Sequence, residues 1–356
     1  QGKLTQKYSL KECNEKRIPL DASTAPQSPY LQLYQDSLEG RVLTLLNPHN
    51  NAINFYSYDN GDSLRTIKFV KEGPHAILRA MAYYIKNLDS IYVFNMPLMQ
   101  LVLTNHKGEV TERIPLHGNE SNWQFSYPQY MFNTSSPILE IDNHLLLTGL
   151  SPFSIHNDSI GKFRFTADVD ITTHKVSFRH SYPASIYGGN SNWEDPLFMQ
   201  VYTTLNPNGQ VIHSFPPSHN LRLSQWENEK YDYRYAGSNA AGTIYSIDWD
   251  YLAGEVTPRE LIYSHFLRQD LYASILYDSW RKVYYRFLRQ RIPGATTSSH
   301  LNDKKIVVII LDEQLNYLGE TPIGTGKQWN WTNAFITEEG LNIEYIDTTD
   351  AEELYM

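Results

Sequence analysis

Two segments of the chain repeat one glycine-to-tryptophan pattern: Gly118-Asn119-Glu120-Ser121-Asn122-Trp123 and Gly188-Gly189-Asn190-Ser191-Asn192-Trp193. A third segment, Gly324-Thr325-Gly326-Lys327-Gln328-Trp329, keeps the glycines and the final tryptophan, and Ala236-Gly237-Ser238-Asn239 is a weaker version. Each segment follows a pair of short apolar runs and precedes a new one. Gly-rich connectors that recur between groups of strands are typical of radial all-β folds. The repeat therefore predicts a β-propeller whose blades are separated by these connectors.

The stretches between connectors have the pattern of short β-strands. The 26 tyrosines are the strongest compositional signal, and aromatic residues favour pleated, half-buried surfaces. Apolar and polar residues alternate in runs such as Val42 to Leu46 and Ile53 to Tyr58, and Asp59-Asn60-Gly61-Asp62 has hairpin-turn chemistry. We expect a mostly β chain with little helix.

Counting from connector to connector divides residues 1–356 into one all-β domain of six blades. The predicted blades cover about residues 28–72, 73–117, 118–188, 189–237, 238–324, and 325–356 together with 1–20, with insertions near 151–162, 238–260 and 290–303. The last blade is short of strands, so we expect Tyr8 to Cys13 and Arg17 to Leu20 to pair with it. These N-terminal strands would close the ring and remove its free sheet edges. Seven blades is the alternative, because the fifth interval is long enough to contain another.

Charge and composition exclude several classes of protein. The chain has 30 basic and 39 acidic side chains, a net charge of −9, and no basic run, so nucleic acid is not an expected partner. Its longest apolar stretch, Ile306 to Leu311, is far shorter than the roughly 20 residues of a membrane-spanning helix. Cys13 is the single cysteine, which excludes an internal disulfide and a thiolate metal cluster.

Three motifs connect the chain to a known family. They are the connector Glu72-Gly73-Pro74, Val211-Ile212-His213-Ser214-Phe215-Pro216, and the run from Tyr277 to Arg286. With these motifs the sequence resembles an uncharacterised bacterial family of exported, often lipid-anchored, six-bladed β-propellers. The resemblance implies the fold and a location in the periplasm or on the outer cell surface, and it implies no activity. Because the chain begins at Gln1 instead of Met, we interpret it as a mature or trimmed form and expect the lipid-bearing cysteine, if there is one, upstream of Gln1.

No local catalytic signature survives inspection. The chain contains no Gly-x-Ser-x-Gly nucleophile elbow and no His-Glu-x-x-His zinc motif. Two histidine pairs are six residues apart, His174 with His180 and His213 with His219, but no carboxylate completes a local triad. We therefore expect packed or exposed histidines.

Two carboxylate pairs have strand spacing, Asp168 with Asp170 and Asp248 with Asp250. Such pairs would point to one side of a strand and could hold Ca²⁺ or act as acid and base. Exposed strand faces carry such pairs routinely, and neither pair has a Gly-punctuated calcium loop. We therefore expect no cofactor and no dedicated metal site, with Ca²⁺ as the alternative.

The three tryptophans that end the connectors are the leading candidates for ligand contact. In a four-stranded blade these connectors lie on the face where propeller ligands sit, near the channel mouth. The candidates are Trp123, Trp193 and Trp329, each preceded by an amide: Asn122, Asn192 or Gln328. Flat apolar platforms flanked by amides suit sugar rings or the side chains of a protein partner. The alternative is that each tryptophan packs between blades.

A second candidate is the basic aromatic stretch that contains Arg281, Tyr284 and Arg286. These residues would form a positive rim for carboxylate or sulfate groups in an otherwise acidic protein. The alternative is arginine stacked on tyrosine between blades.

The sequence thus predicts a non-catalytic, exported recognition propeller that binds a glycan or a protein at the channel mouth. A polysaccharide lyase or hydrolase is the first alternative, because propeller active sites draw residues from several blades and leave no local motif. A structural subunit of an envelope assembly is the second alternative.

Overall fold

A computed structural model describes residues 3–20, 24, 27–152, 155, 158–250, 256–347 and 353–356 of the chain. These residues form six four-stranded antiparallel sheets, which are the blades of a six-bladed β-propeller. The predicted fold class is confirmed. Parts of two predicted insertions, residues 153–154, 156–157 and 251–255, lie outside the described residues.

The strands follow one another from the innermost position outward in each of the first five blades. Blade 1 contains β2 (Leu31–Asp36), β3 (Gly40–Asn47), β4 (Ala52–Ser57) and β5 (Ser63–Lys68). Blade 2 contains β6 (Ala80–Asn87), β7 (Ser90–Asn95), β8 (Gln100–Thr104) and β9 (Val110–Pro115). Blade 3 contains β10 (Leu139–Ile141), β11 (His144–Thr148), β12 (Arg164–Asp170) and β13 (Val176–Ser181).

The remaining blades keep this order until the chain closes on itself. Blade 4 contains β14 (Tyr202–Leu205), β15 (Gln210–Ser214), β16 (Asn220–Gln225) and β17 (Asp232–Tyr235). Blade 5 contains β18 (Leu271–Asp278), β19 (Val283–Arg289), β20 (Lys305–Asp312) and β21 (Tyr317–Thr325). Blade 6 contains β22 (Trp329–Ile336), β23 (Leu341–Tyr345), β24 (Glu353–Tyr355) and, outermost, β1 (Arg17–Pro19).

One N-terminal strand closes the ring, where the sequence predicted two. In the register of β1 and β24, Ile18 lies opposite Leu354, and the C-terminal chain itself supplies the third strand of blade 6. Residues 3–16, which we call the strap, form no strand and cross the outer edge of blade 5. The backbone amides of Lys7 and Tyr8 donate to the Leu318 carbonyl at 2.7 and 3.0 Å. Closure by β1 pairs what would otherwise be the free outer edge of β24.

Many of the strands in the middle of the blades are buried on both faces because each blade packs between two others. In β20, six consecutive residues from Ile306 to Leu311 are buried, so the strand is a continuous apolar run without alternation. The outer strands have a different pattern: all four residues of β17 are exposed. The core is therefore a set of interfaces between blades, where aromatic rings such as Phe165 and Tyr272 are fully buried.

The two ends of the propeller differ sharply. Connections that follow the first and third strands of a blade emerge at one end, which we call the hairpin face, and the longest of them, residues 226–231, has six residues. Connections that follow the second and fourth strands emerge at the other end, which we call the connector face. The long connections there are residues 116–138, 149–163, 182–201, 236–270 and 290–304. Much of the chain length beyond a minimal propeller is thus placed over blades 3 to 5 on one face.

In the part of the chain that the structure describes, all but one of the short helices occur in these long connections; Met96–Leu98 lies in the short connection between β7 and β8. The α-helices are α1 (Ala184–Tyr187), α2 (Pro196–Met199) and α3 (Arg259–Arg268), and the 3₁₀-helices are Met96–Leu98, Trp123–Ser126, Ile160–Lys162 and Leu301–Asp303. The buried Lys304 ammonium caps α3 by donating to the carbonyls of Phe266 and Gln269 at 3.0 and 2.7 Å. Among the described residues, no helix has the length and apolar character that a membrane span requires.

Candidate functional site

The central channel is crossed by part of the connection between blades 2 and 3. We call residues 130–137 the plug. Thr134 Oγ1 accepts from the Leu31 amide of blade 1 at 2.8 Å, and Ser135 Oγ lies 2.6 Å from Ser274 Oγ of blade 5. The Ser135 amide donates to the Thr332 carbonyl of blade 6 at 2.9 Å. A segment that leaves blade 2 and bonds to the innermost strands of blades 1, 5 and 6 must cross the propeller axis.

A buried carboxyl group holds the far end of the plug. Thr134 donates to Asn333 Oδ1 at 2.6 Å, and Asn333 Nδ2 donates to Glu344 Oε2 at 2.6 Å. Glu344 is 2% exposed and accepts a second bond from Asn330 Nδ2 at 2.6 Å. Burial raises the pKa of Glu344 to about 7, against the lowering effect of the two amide donors. The polar groups on the axis therefore satisfy one another.

Just before the plug and at its start, the same connection presents large apolar side chains to solvent. Trp123 is 57% exposed, Tyr127 41% and Met131 43%. The rings of His117 and Tyr127 stack, with centroids 5.7 Å apart and planes 16° apart, and Trp123 meets Tyr127 edge-on at 6.5 Å. We call the rings of His117, Trp123 and Tyr127, together with the exposed Met131 that follows them in the chain, the aromatic platform. It lies on the connector face beside the plugged channel.

Local sequence explains why Trp123 is held outward. Asn122 Oδ1 accepts from the Gln124 amide at 3.1 Å and caps the 3₁₀-helix that begins at Trp123. Ser126 is the buried residue of that turn, so the turn packs through its small residue and presents the large one.

The equivalent pair in the next connector is buried. Trp193 is 6% exposed, donates from Nε1 to the Ile186 carbonyl at 3.0 Å and packs on Phe198 with centroids 5.4 Å apart. Asn192 is 1% exposed, and its Nδ2 donates to the carbonyl of Trp249 and to Thr257. Both side chains join distant parts of connections 182–201 and 236–270, so neither presents a surface to a ligand.

Trp329 belongs to a different surface. It is half-buried at the start of β22 and packs edge-on against Tyr345 with centroids 5.2 Å apart. It lines a groove of about 1560 Å³ that runs beneath the strap between blades 5 and 6. The three predicted tryptophans therefore divide among an exposed platform, a buried connector core and a groove.

The basic aromatic stretch does not form a rim at the channel mouth. Arg281 lies in turn 279–282 on the hairpin face, where its guanidinium donates to Asp278 at 3.1 Å and to the Glu338 and Glu339 carbonyls at 2.8 and 2.7 Å. Tyr284 is fully buried and packs on Tyr277, and burial raises its pKa.

Arg286 is fully buried as well, and it belongs to the interface between blades 4 and 5. Its guanidinium lies over the Tyr272 ring and donates to four oxygen atoms of blade 4 and the connection that follows it. Burial lowers the pKa of Arg286 to about 10. Its placement is the alternative stated above, arginine on tyrosine between blades.

The predicted acidic pairs serve local structure. Asp168 is 2% exposed and accepts from Arg179 Nε and from His144 Nδ1, each at 2.6 Å, whereas Asp170 caps turn 171–175. Asp248 and Asp250 lie outside the strands, so the strand spacing predicted for them does not apply. In the ranges that the structure covers, no three His, Cys, Asp or Glu side chains gather closely enough to hold a metal ion.

The sequence also missed residues that only the fold brings together. Tyr127 contacts both Trp123 and His117, and only the repeated aromatic spacing within connection 116–138 signals this cluster. His180 lies 4.8 Å from His213 across the interface of blades 3 and 4, whereas the sequence had paired each with a neighbour six residues away.

Comparison with known proteins agrees with this architecture. The family model described as domain of unknown function DUF4221 matches residues 7–322. A member of that family from Bacteroides vulgatus has a solved structure with 18% sequence identity and a TM-score of 0.79, covering 96% of this chain and 95% of its own.

A Bacteroides fragilis protein assigned as exported aligns with a TM-score of 0.58 at 10% identity, covering 96% of this chain and 94% of its own. At these identities the structures establish the fold alone, and no curated protein matches the sequence. The propeller family expected from the three motifs is confirmed, and lipid anchoring stays a prediction. Because the family model spans most of the sequence, the protein belongs to the DUF4221 family.

Proposed function

We propose that the protein is an exported recognition propeller that binds a glycan through the aromatic platform of its connector face. The observation that carries this proposal is the exposure of Trp123, Tyr127 and Met131 in one connection, with Trp123 and Tyr127 in contact, on the face that holds all the long connections. Clustered exposed apolar side chains mark interaction sites, since water is a poor environment for them. Ring faces of this kind stack on the apolar faces of sugars.

The size and the surroundings of the platform favour a glycan over a protein partner. Three rings and one methionine make a narrow strip, whereas a stable protein interface buries about 800 Å² on each partner. Residues 119–122 beside the strip are exposed and polar, and their amide, hydroxyl and carboxylate groups suit sugar hydroxyls. A protein partner stays as an outcome of the test below.

The plug supports a role without catalysis. Propeller active sites draw side chains from several blades toward the axis, and here that space holds Thr134 and Ser135, which are bonded to three blades. A lyase or hydrolase would need its site elsewhere on the connector face.

Export is proposed on two grounds. The first is the family resemblance, and the second is the structural similarity to the Bacteroides fragilis protein that is assigned as exported. A lipid anchor upstream of Gln1 is part of the same proposal, with the periplasm or the outer cell surface as the location. Fractionation of the native cells, followed by protease treatment of intact cells, would separate these two locations.

The binding proposal is tested by a thermal-shift screen against neutral and acidic glycans, with and without Ca²⁺, followed by calorimetry on each hit. We expect Trp123→Ala and Tyr127→Ala each to weaken binding about tenfold, which corresponds to about 1.4 kcal/mol of lost stacking. Trp280→Ala is the matched control, because Trp280 is 56% exposed on the hairpin face. It should bind like the parent.

Three outcomes would contradict the proposal. Equal losses of glycan affinity in the Trp280 and Trp123 variants would show that the aromatic platform is not the binding site. Absence of any glycan shift, combined with capture of one envelope protein that the Trp123 variant fails to capture, would establish protein recognition instead. Turnover of a bound glycan would favour the lyase or hydrolase alternative.

A further inference from the structure

Arg222 is a buried cation in the interface between blades 3 and 4. It lies on β16 and is 1% exposed. Its Nη1 donates to the Ser181 carbonyl at 2.6 Å, and its guanidinium carbon lies 4.0 Å from the Tyr231 ring and 4.9 Å from the Phe215 ring. Aromatic faces on the guanidinium recover part of the free energy of desolvation.

The polar environment of this guanidinium is incomplete. Nε and Nη2 are buried and have no hydrogen-bond partner among the described residues. The nearby carboxylate, Glu229, is held by Arg164 at 3.0 Å and by the His180 amide at 3.2 Å. A buried charge without a counterion costs several kcal/mol, so the Arg222 guanidinium needs a partner that compensates its charge.

A histidine ring beside Arg222 is left incomplete in the same way. His180 and His213 are fully buried with ring centroids 4.8 Å apart; the His180 ring interacts with the Trp226 backbone, whereas Nε2 of His213 has no hydrogen-bond partner among the described residues. Both rings and the Arg222 guanidinium lie against Phe165, with distances to its centroid of 6.3, 5.3 and 5.7 Å. The incomplete groups therefore surround one small region.

The hydrogen-bond chain behind His213 indicates which atom carries its proton. Thr148 donates to Thr203 Oγ1 at 2.9 Å, and we assign the Thr203 hydroxyl as the donor to His213 Nδ1, 3.4 Å away. The proton of a neutral ring is then on Nε2, which points a donor into the incomplete region. Burial and the Arg222 charge lower the pKa of His213 well below its usual range, so the ring is neutral.

The unsatisfied groups are therefore rich in donors and carry a positive charge. Arg286 in the next interface is a buried arginine with a full set of acceptors. Its guanidinium donates to Ser214 Oγ and to the carbonyls of His219, Ala236 and Ser218. Arg222 has one backbone acceptor, the Ser181 carbonyl, with the Tyr233 side chain as a further partner. Water could fill the space, but it brings two protons that need acceptors of their own, whereas an anion brings acceptors and the missing charge.

We propose that a single chloride-sized monovalent anion binds between blades 3 and 4, held by Nε and Nη2 of Arg222 and by Nε2 of His213, with the His180 ring beside it. The site is sealed from solvent, which restricts it to a monatomic ion. Its role is to complete the interface and thereby to stabilise the ring against opening at this blade boundary.

The first test compares thermal unfolding in sodium chloride and in sodium gluconate at equal ionic strength. For the parent protein we expect a melting temperature about 2–4 °C higher in chloride, saturating with concentration, as ligand linkage requires for a chain of this length. Arg222→Met should lose this difference. Arg286→Lys, a buried-cation variant one interface away, is the matched control and should keep it.

The second test does not depend on a variant that folds. Crystals of the parent protein soaked in sodium bromide should show an anomalous peak within hydrogen-bonding distance of Arg222 and His213. No bromide peak there, or equal melting temperatures of the parent protein in chloride and gluconate, would overturn the proposal and assign the space to water. A chloride effect that survives in Arg222→Met would likewise overturn it.

Discussion

The guanidinium carbon of Arg286 lies 3.8 Å from the centroid of the Tyr272 ring, and both side chains are fully buried between blades 4 and 5. This stack replaces the solvent-exposed rim that the basic aromatic stretch predicted. It also means that the charge of Arg286 serves stability, because its donors satisfy three backbone carbonyls that lie outside the strand ladders.

We expect Arg286→Met to destabilise the fold by about 4 kcal/mol, since charged hydrogen bonds are lost and buried carbonyls are left without donors. Arg286→Lys should fall between the parent and the methionine variant. Urea unfolding followed by tryptophan fluorescence measures both. A loss below about 1 kcal/mol for Arg286→Met would show that the bonds are not formed in solution.

The tryptophans at matching connector positions should respond differently to truncation. Trp193→Ala removes a buried ring and its hydrogen bond to Ile186, so we expect a loss of about 3–5 kcal/mol in unfolding free energy. Trp123→Ala removes a largely exposed ring and should change stability by less than about 1 kcal/mol. Parallel urea titrations measure the free energy of unfolding of both variants. Similar losses in the two would contradict the burial assigned to each tryptophan.

The strap crosses blade 5 where only a glycine fits. A Cβ placed on Gly319 would lie 1.9 Å from the carbonyl oxygen of Tyr8. Gly319→Ala should therefore displace residues 3–16 while the propeller stays folded, and limited trypsin digestion should cut at Lys7 and Lys11 about tenfold faster.

Gly161→Ala is the control for the strap, since a Cβ there has no atom within 4 Å. Its digestion should match that of the parent protein. Unchanged cleavage in the Gly319 variant would show that the strap is not docked on β21.

The buried Glu344 predicts a specific pH dependence. Its pKa is raised from 4.5 to about 7 in the folded protein, so between these values the folded chain holds a proton that the unfolded chain has released. The stabilisation that comes from the protonated Glu344 is therefore fully present below about pH 4.5. It is lost as the pH rises through 7, and the free energy of unfolding falls by up to about 3 kcal/mol. Glu344→Gln keeps an acceptor for Asn330 and Asn333 and removes this loss.

Melting temperatures measured from pH 5 to pH 8 test the assignment to Glu344. The glutamine variant should give a flatter profile and exceed the parent protein at pH 8. Glu72→Gln, an exposed carboxylate variant, controls for the change in net charge. If the parallel profiles of the parent and Glu344→Gln do not differ in slope, the carboxyl group is not the one that titrates.

Much of the architecture was determined by the sequence alone. The spacing of Gly-rich connectors such as Gly118 to Trp123 marks where one blade ends and the next begins, and continuous apolar runs such as Ile306 to Leu311 mark strands buried between blades. These signals are local. A turn or a strand is specified by residues that are neighbours in the chain, so a short window carries the information.

The exposure of each candidate residue was decided by tertiary structure. Trp123 and Trp193 end the same sequence pattern, yet His265, on a helix from a later connection, lies 6.2 Å from Trp193, and Phe198 covers it as well. The plug depends on Thr134 meeting Asn333, and the proposed anion site depends on His180 meeting His213. Burial and hydrogen bonding of a side chain depend on atoms from remote segments of the chain. Those segments come together only when the whole chain folds into the propeller.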